Sequence, residues 1–428
     1  MKSKFLYILL LLSSLCATAQ TTFIDTAHTY QGSICREQSS SKIIMYARHS
    51  QYKGYFVTNG LTSFTHAPAN FLNEYSVEDF TIFNDTIFIT GITRAGNGYY
   101  GWTKIAGSST QAWDFNVYQI PPTSNMRRIK VFRDGSSLHV LLVGDYRDNT
   151  GIYGAIFDIK DFDTCNVAYH GMEYFDDVEL TNDYVVTVAR KETSDSSQRA
   201  LYTRIAPKTA FSLTSTQFST CYLGSGIAKA QGAAHLQAVG LNKFVTVYGR
   251  EYTIYINTQE VNSGVLNLCR HYTIPSAEPV RIRDLAYNSS CSKLVVLHSY
   301  DTIGSASIYS CTTPNILTWL ETIKPLLYVA GNLVHSISLS SAAALGSSKF
   351  FVSGLHNDIL TVWRTGTTCD LSLTHSMSYI DRTMSPLVAR PEKALFTLHR
   401  EPVRCDLIDV RATSSCTGNN RDFDPKDE

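Results

Sequence analysis

The feature that most constrains this chain is a repeat. A short alternating strand, as in Phe80-Thr81-Ile82, Val178-Glu179-Leu180 or Ile337-Ser338-Leu339, is followed by a turn rich in Asn, Asp, Gly or Ser. Asn84-Asp85, Asp134-Gly135 and Asn182-Asp183 are such turns. A dense apolar strand ending in a small or polar residue comes next, as in Ile87-Phe88-Ile89-Thr90-Gly91, Leu141-Leu142-Val143-Gly144 and Val185-Val186-Thr187-Val188-Ala189. After a polar loop, the third strand carries an aromatic, as in Tyr99-Tyr100-Gly101-Trp102, Tyr153-Gly154-Ala155-Ile156-Phe157 or Ile359-Leu360-Thr361-Val362-Trp363. The residues closing the dense strands are Ala47, Gly91, Gly144, Ala189, Gly249, His298, Gly354 and His399, spaced by 44 to 60 residues. Period-2 alternation specifies strands, and helical periodicity is almost absent. A self-similar unit that cannot bury both faces alone must stack on its neighbours.

These units resemble the blades of a β-propeller, and the resemblance extends over the whole chain after its first residues. It implies an all-β single propeller of eight four-stranded blades, or seven if one landmark is a false match. It rests on period and strand order, because Trp113-Asp114 is the only Trp-Asp pair and no sialidase-type Asp-box occurs. The segment Pro314 to Ile323 reads equally as a helix with Thr313 at the N-cap or as the outer strand of a blade. Thr21 to Asp25 precedes the first repeat and is a candidate outer strand for closing the ring, since an open ring leaves two sheet edges exposed.

The N-terminus reads as an export signal. Lys2 and Lys4 precede the apolar run Phe5 to Leu12, and Ala17-Thr18-Ala19 is a small-x-small cleavage pattern. Residues 1–19 are therefore expected to be a signal peptide and 20–428 the propeller. Leu15 before Cys16 argues against a lipid anchor, and no later apolar stretch has membrane length, so the mature chain is expected not to span a membrane. Localisation is expected to be periplasmic, cell-surface or extracellular. The triplets Asp25-Thr26-Ala27, Asp85-Thr86-Ile87 and Asp301-Thr302-Ile303 resemble O-glycosylated sites of exported Bacteroidetes-type proteins.

Nine cysteines remain after cleavage, an odd number, so at least one stays outside any internal pairing. Cys291 and Cys311 flank one predicted hairpin and are the expected disulfide. No Cys-x-x-Cys or zinc-like His spacing occurs, so no metal is expected, and the dinucleotide, phosphate-loop and nucleophile-elbow motifs are missing, so no cofactor is expected. Lys+Arg and Asp+Glu are both 37, and this balance excludes the basic field a nucleic-acid partner requires.

Two functional readings stay open. Loops after the dense strands share a face with those entering each first strand, which gathers Arg48, His49, Arg94, Arg147, Arg190, Arg250, His298, His356, His399 and Arg400 on one rim. Arginine forks bind carboxylate, sulfate or phosphate with two parallel hydrogen bonds. This points to a binding module for a carbohydrate or a protein at the cell envelope. Arg48, Arg190 and Arg250 also have acids nearby in sequence, such as Glu192 and Glu251, with which they would merely pair. The alternative is an exported carbohydrate-active enzyme, a glycoside hydrolase or polysaccharide lyase. Its acid–base group would be drawn from Asp145, Tyr169, His170, Asp177 and Asp284, because such chemistry uses Tyr/His or paired carboxylates.

Overall fold

The computed structural model describes residues 32–364 apart from connecting segments at 40–41, 51–52, 60–63, 68–73, 106–112, 121–122, 148–151, 170–172, 193–197, 214–218, 229–232, 276–278, 301–302, 314–315, 324–326, 330–331, 335–336, 346–348 and 357–358. The expected signal peptide, the candidate closing strand Thr21 to Asp25, His170, His399 and Arg400 lie outside the described residues.

Every described element is a strand or a turn, and each sheet is a meander in which consecutive strands pair antiparallel. Sheet 1 contains Gly32–Ser39, Lys42–Ser50, Lys53–Asn59 and Phe64–Ala67, and sheet 2 contains Tyr75–Phe83, Thr86–Thr93, Gly98–Lys104 and Asn116–Gln119. Sheet 3 contains Thr123–Asp134, Ser137–Arg147, Ile152–Lys160 and Thr164–Tyr169, and sheet 4 contains Glu173–Leu180, Tyr184–Glu192, Gln198–Pro207 and Ser219–Ala228. Sheet 5 contains His235–Gly240, Lys243–Arg250, Thr253–Asn262 and Val265–Pro275, and sheet 6 contains Arg281–Asn288, Lys293–Tyr300, Ile303–Thr313 and Ile316–Ile323. A two-stranded hairpin, Leu327–Val329 with Asn332–Val334, precedes the three-stranded sheet 7 of Ile337–Leu345, Lys349–His356 and Ile359–Arg364.

The expected eight four-stranded units are thus not met among the described residues, which form six four-stranded sheets, one of three strands and one of two. Seven of the eight landmarks, Ala47 through Gly354, do fall in second strands. The ambiguous segment around Ile316–Ile323 is a strand, pairing with Ala306 to Thr313.

The first strand of each sheet touches the first strand of the next, and that of sheet 7 touches both sheet 6 and sheet 1. The first strands therefore stand in a circle. Apolar faces of successive sheets close on one another: Ile44, Tyr46 and Phe56 of sheet 1 pack on Val77, Phe80, Ile87 and Tyr99 of sheet 2, with Trp113 beside them. Equivalent clusters join sheets 2 to 3, 3 to 4, 4 to 5 and 5 to 6. A fully buried Ile or Phe contributes roughly 2 kcal/mol, whereas a hydrogen bond between neutral groups nets about 1 kcal/mol. Burial between sheets therefore supplies most of the cohesion, and polar contacts near the axis set how each sheet is seated on the next.

The turns match their residues. Asn84 and Asp85 have φ of 47° and 56°, the paired left-handed conformation of a two-residue hairpin that Asn and Asp tolerate. The small landmarks have a steric cause. A Cβ on Gly91 would lie 1.8 Å from the Ser76 carbonyl oxygen, and one on Gly249 would lie 2.3 Å from that of Val280. At these points the first strand, or the chain entering it, folds directly over the end of the second.

Candidate functional site: the axial channel and the loop face

At the centre of the circle lies a cavity of about 220 Å³, lined from sheet 1 by Arg36 and Glu37, from sheet 2 by Asp79, and from sheet 3 by Arg128 and Lys130. Asp177 and Glu179 of sheet 4, His235 and Gln237 of sheet 5, Asp284 and Ala286 of sheet 6, and Ala342 and Ala344 of sheet 7 complete the wall. Two members of the acid–base group expected from sequence, Asp177 and Asp284, therefore share one cavity. Asp145 is not among the residues that line it. Asp145 lies on the second strand of sheet 3, where Arg127 Nη1 reaches its Oδ1 at 2.8 Å and Asn125 its Oδ2 at 3.0 Å. Tyr169 ends the outer strand of that sheet, and His170 is outside the described residues.

The channel residues follow a rule of two. In sheets 2, 4 and 6, the first strand carries a bulge in the sequences Val77-Glu78-Asp79, Phe175-Asp176-Asp177 and Ile282-Arg283-Asp284. The Asp after each bulge accepts from a backbone N–H on the first strand of the next sheet. Ile129 N donates to Asp79 at 3.1 Å, Leu236 N to Asp177 at 2.9 Å, and Ala342 N to Asp284 at 3.0 Å. A bulge re-aims a side chain, and here it turns the carboxylate towards the neighbouring strand.

Sheets 1, 3 and 5 reach forward with donors instead. Arg36 Nε donates to the Phe80 carbonyl at 3.0 Å, and Arg127 Nη2 to that of Phe175 at 2.9 Å. His235 contacts Arg128 Nη2 through Nδ1 at 3.2 Å. Arginine only donates, so Nδ1 accepts, and the proton sits on Nε2, which donates to the Ile282 carbonyl. The cations are also paired with the acids: Arg36 with Asp79, Arg128 with Asp177 at 3.3 Å, and Lys130 with Glu179 at 2.9 Å.

These surroundings set the protonation states. Burial is the largest influence on Asp177 and pushes its carboxyl up to about 6, against the pull of Arg128 and Lys130. Burial, with Arg128 next, holds His235 down to about 3, so the imidazole is neutral throughout the physiological range. Burial also raises Glu37 above its ordinary value. A buried His–carboxylate pair, His139 Nδ1 to Asp158 at 2.9 Å, lies away from the channel, where His139 stacks on Phe132.

Sequence reasoning missed Arg36, Asp79, Arg128, Lys130, Glu179, His235 and Ser341. The recurring apolar-charged-Asp triplet in alternate repeats was the readable trace of the acids.

The rim residues divide. Arg94 N donates to the Glu74 carbonyl at 2.8 Å, and Val280 N to that of Glu251 at 2.8 Å. Turns between second and third strands thus meet chain entering first strands on one face. On it, Arg48 is held by Glu78 at 2.7 Å and Arg190 by Asp176 at 2.6 Å. Arg94 and Arg147 are exposed, and Arg250 is half-buried. His298 Nε2 meets Ser307 Oγ at 2.8 Å within sheet 6. His49 and His356 lie in the second strands of sheets 1 and 7. The expected Cys291–Cys311 bridge is not formed: Cys311 is a free, buried thiol pushed up to about 12, while Cys291 is disulfide-bonded.

No protein-family model matches the chain, and no curated protein matches its sequence. Among solved structures it resembles the β-propeller domain of Cps50 (Swd1) from Myceliophteria thermophila, at 7% identity over 80% of this chain and 99% of that one, with a TM-score of 0.50. The molecule is a β-propeller. A putative 6-phosphogluconolactonase from Bacteroides fragilis overlaps at 8% identity over 79% of this chain and 95% of that one, with a TM-score of 0.47. A puromycin-hydrolyzing peptidase of Mycobacterium tuberculosis overlaps at 11% identity over 79% of this chain and 51% of that one, with a TM-score of 0.48. Likeness at this identity establishes the propeller fold alone. Among the described residues no helix is long and apolar enough to cross a membrane.

Proposed function

We propose that this propeller is an exported binding module whose loop face takes a carbohydrate or a protein at the cell envelope. The observation that carries the reading is the division of labour among the charged groups. In the channel Arg36, Asp79, Arg128, Lys130, Asp177, Glu179 and Asp284 are engaged with one another or with the backbone of neighbouring sheets, whereas Arg94, Arg147 and Tyr252 stand exposed on the turns of one face. The N-terminal signal supports export. A count of seven blades is proposed with it, supported by the contact of sheet 7 with sheets 6 and 1.

The enzyme reading draws support from one feature, the Asp177 carboxyl raised to about 6 inside a cavity. Incubating the full chain with a panel of glycans and scoring both retention and new reducing ends separates the two. Retention without new ends is expected. New ends that vanish in Asp177→Asn would refute a binding-only role.

A further inference from the structure

The bulge residue of sheets 2, 4 and 6 occupies equivalent positions in the three registers, one residue before the latching Asp. In sheet 2 it is Glu78, neutralised by Arg48. In sheet 4 it is Asp176, neutralised by Arg190 and also accepting from Ala234 N at 3.0 Å. In sheet 6 the charge is reversed. The bulge residue is Arg283, and the position equivalent to Arg190 holds Ser299, the register partner of Arg281 as Arg190 is of Tyr174. Arg283 Nε donates to Ser299 Oγ at 2.6 Å, which fixes the guanidinium while leaving its terminal nitrogens available. Among the described residues no carboxylate pairs with Arg283 or with the exposed Arg281, two residues before it on the same strand. Their mutual repulsion, added to burial, lowers the basicity of Arg283, and its charge also bears on His235. An internal ion pair has thus been exchanged for two arginines at the loop-face mouth of the channel.

We propose that Arg281 and Arg283 form the anchor point of the loop face for an oxyanion, the carboxylate or sulfate group of an acidic glycan. The assignment rests on the loop face being the binding face. An anchored guanidinium presents its remaining N–H groups as a fork matched to a carboxylate or sulfate edge, and a second cation beside it is relieved when the anion arrives.

The test measures binding of the full chain to three hexasaccharides by calorimetry: an oligogalacturonate, a sulfated oligosaccharide and a neutral one. The wild type is expected to bind one or both acidic probes. Arg283→Gln should weaken that binding at least tenfold, and Arg281→Gln severalfold, with melting temperatures unchanged. Arg283→Lys serves as the check on folding, since it keeps the charge but loses the fork, and is expected to fall between wild type and Arg283→Gln. The carboxylated and sulfated probes distinguish which oxyanion is preferred. Acidic-probe affinity unaltered in Arg283→Gln overturns the assignment, as does binding of the neutral probe alone, which would leave the loop-face reading standing. Failure of every probe, charged or neutral, overturns the glycan assignment while a protein ligand keeps the loop-face reading.

Discussion

Gly91 shows how much one hydrogen atom decides. With the Ser76 carbonyl oxygen 1.8 Å from where a Cβ would stand, alanine there has no way to fit without moving the first strand of sheet 2. Overpacking of this kind costs about 1 to 3 kcal/mol, and Gly91→Ala should lower the urea midpoint by a corresponding amount with an unchanged slope. The thiols make a second residue-level prediction. Cys35 and Cys311 are buried and burial pushes both up to about 12, so neither forms a thiolate near neutral pH. Iodoacetamide at pH 8 should leave both unmodified in the native protein and label them once urea unfolds it, as peptide mapping would detect. Sequence reading located Gly91 and Gly249 as strand ends but gave no reason for glycine there, because the obstructing carbonyls belong to backbone, which carries no residue code.

At the level of the strand, the joints between sheets govern response to acid. Asp177 and His235 sit on adjacent first strands and both contact Arg128. The native state binds a proton at Asp177 more tightly than the unfolded chain, with a carboxyl at about 6 against 3.8, so this group adds stability as pH falls through that interval. His235, at about 3 against 6.5, does the reverse: the unfolded chain takes up the proton first, and stability is lost below 6.5. One proton each way means that the slopes, about 1.4 kcal/mol per pH unit apiece, nearly cancel between pH 6 and pH 4. Melting curves across that range should therefore be flat for wild type at this joint. They should fall steeply for Asp177→Asn and rise on acidification for His235→Gln. Parallel curves in all three proteins would show that the two groups do not govern the joint. The sequence marked Asp177 and Asp284 as catalytic candidates, not as latches between sheets. Their backbone partners, Leu236 and Ala342, are about 60 residues away, and no local pattern announces a carboxylate that accepts from a distant amide.

For the whole molecule, the period of the repeat was legible because every sheet needs the same short, dense, small-ended second strand. The number of units was not, because the count rested on an eighth landmark, His399, outside the described residues, and because no residue at a strand edge records which partner closes the circle. The charge balance was legible as a total but not as an arrangement. Thirty-seven of each sign gave no hint that the axis alternates acceptors and donors sheet by sheet. The rim prediction was half readable for the same reason: Arg48 and Arg190 pair with Glu78 and Asp176, acids of first strands that the sequence around the two arginines does not announce.

That alternation meets a parity problem where sheets 7 and 1 touch. Sheets 2, 4 and 6 offer carboxylates, sheets 1, 3 and 5 offer cations or imidazole, and an odd element left over belongs to neither class. The side chain found there is Ser341, whose hydroxyl donates back to Asp284 Oδ2 at 2.5 Å and accepts forward from Cys35 N at 3.0 Å. A group that is at once donor and acceptor fits beside either class, so the mismatch closes without a surplus charge. Amide exchange at Cys35, whose N–H is held by a neutral hydroxyl, should outpace that at Ile129 and Leu236, whose N–H groups are clamped by carboxylates.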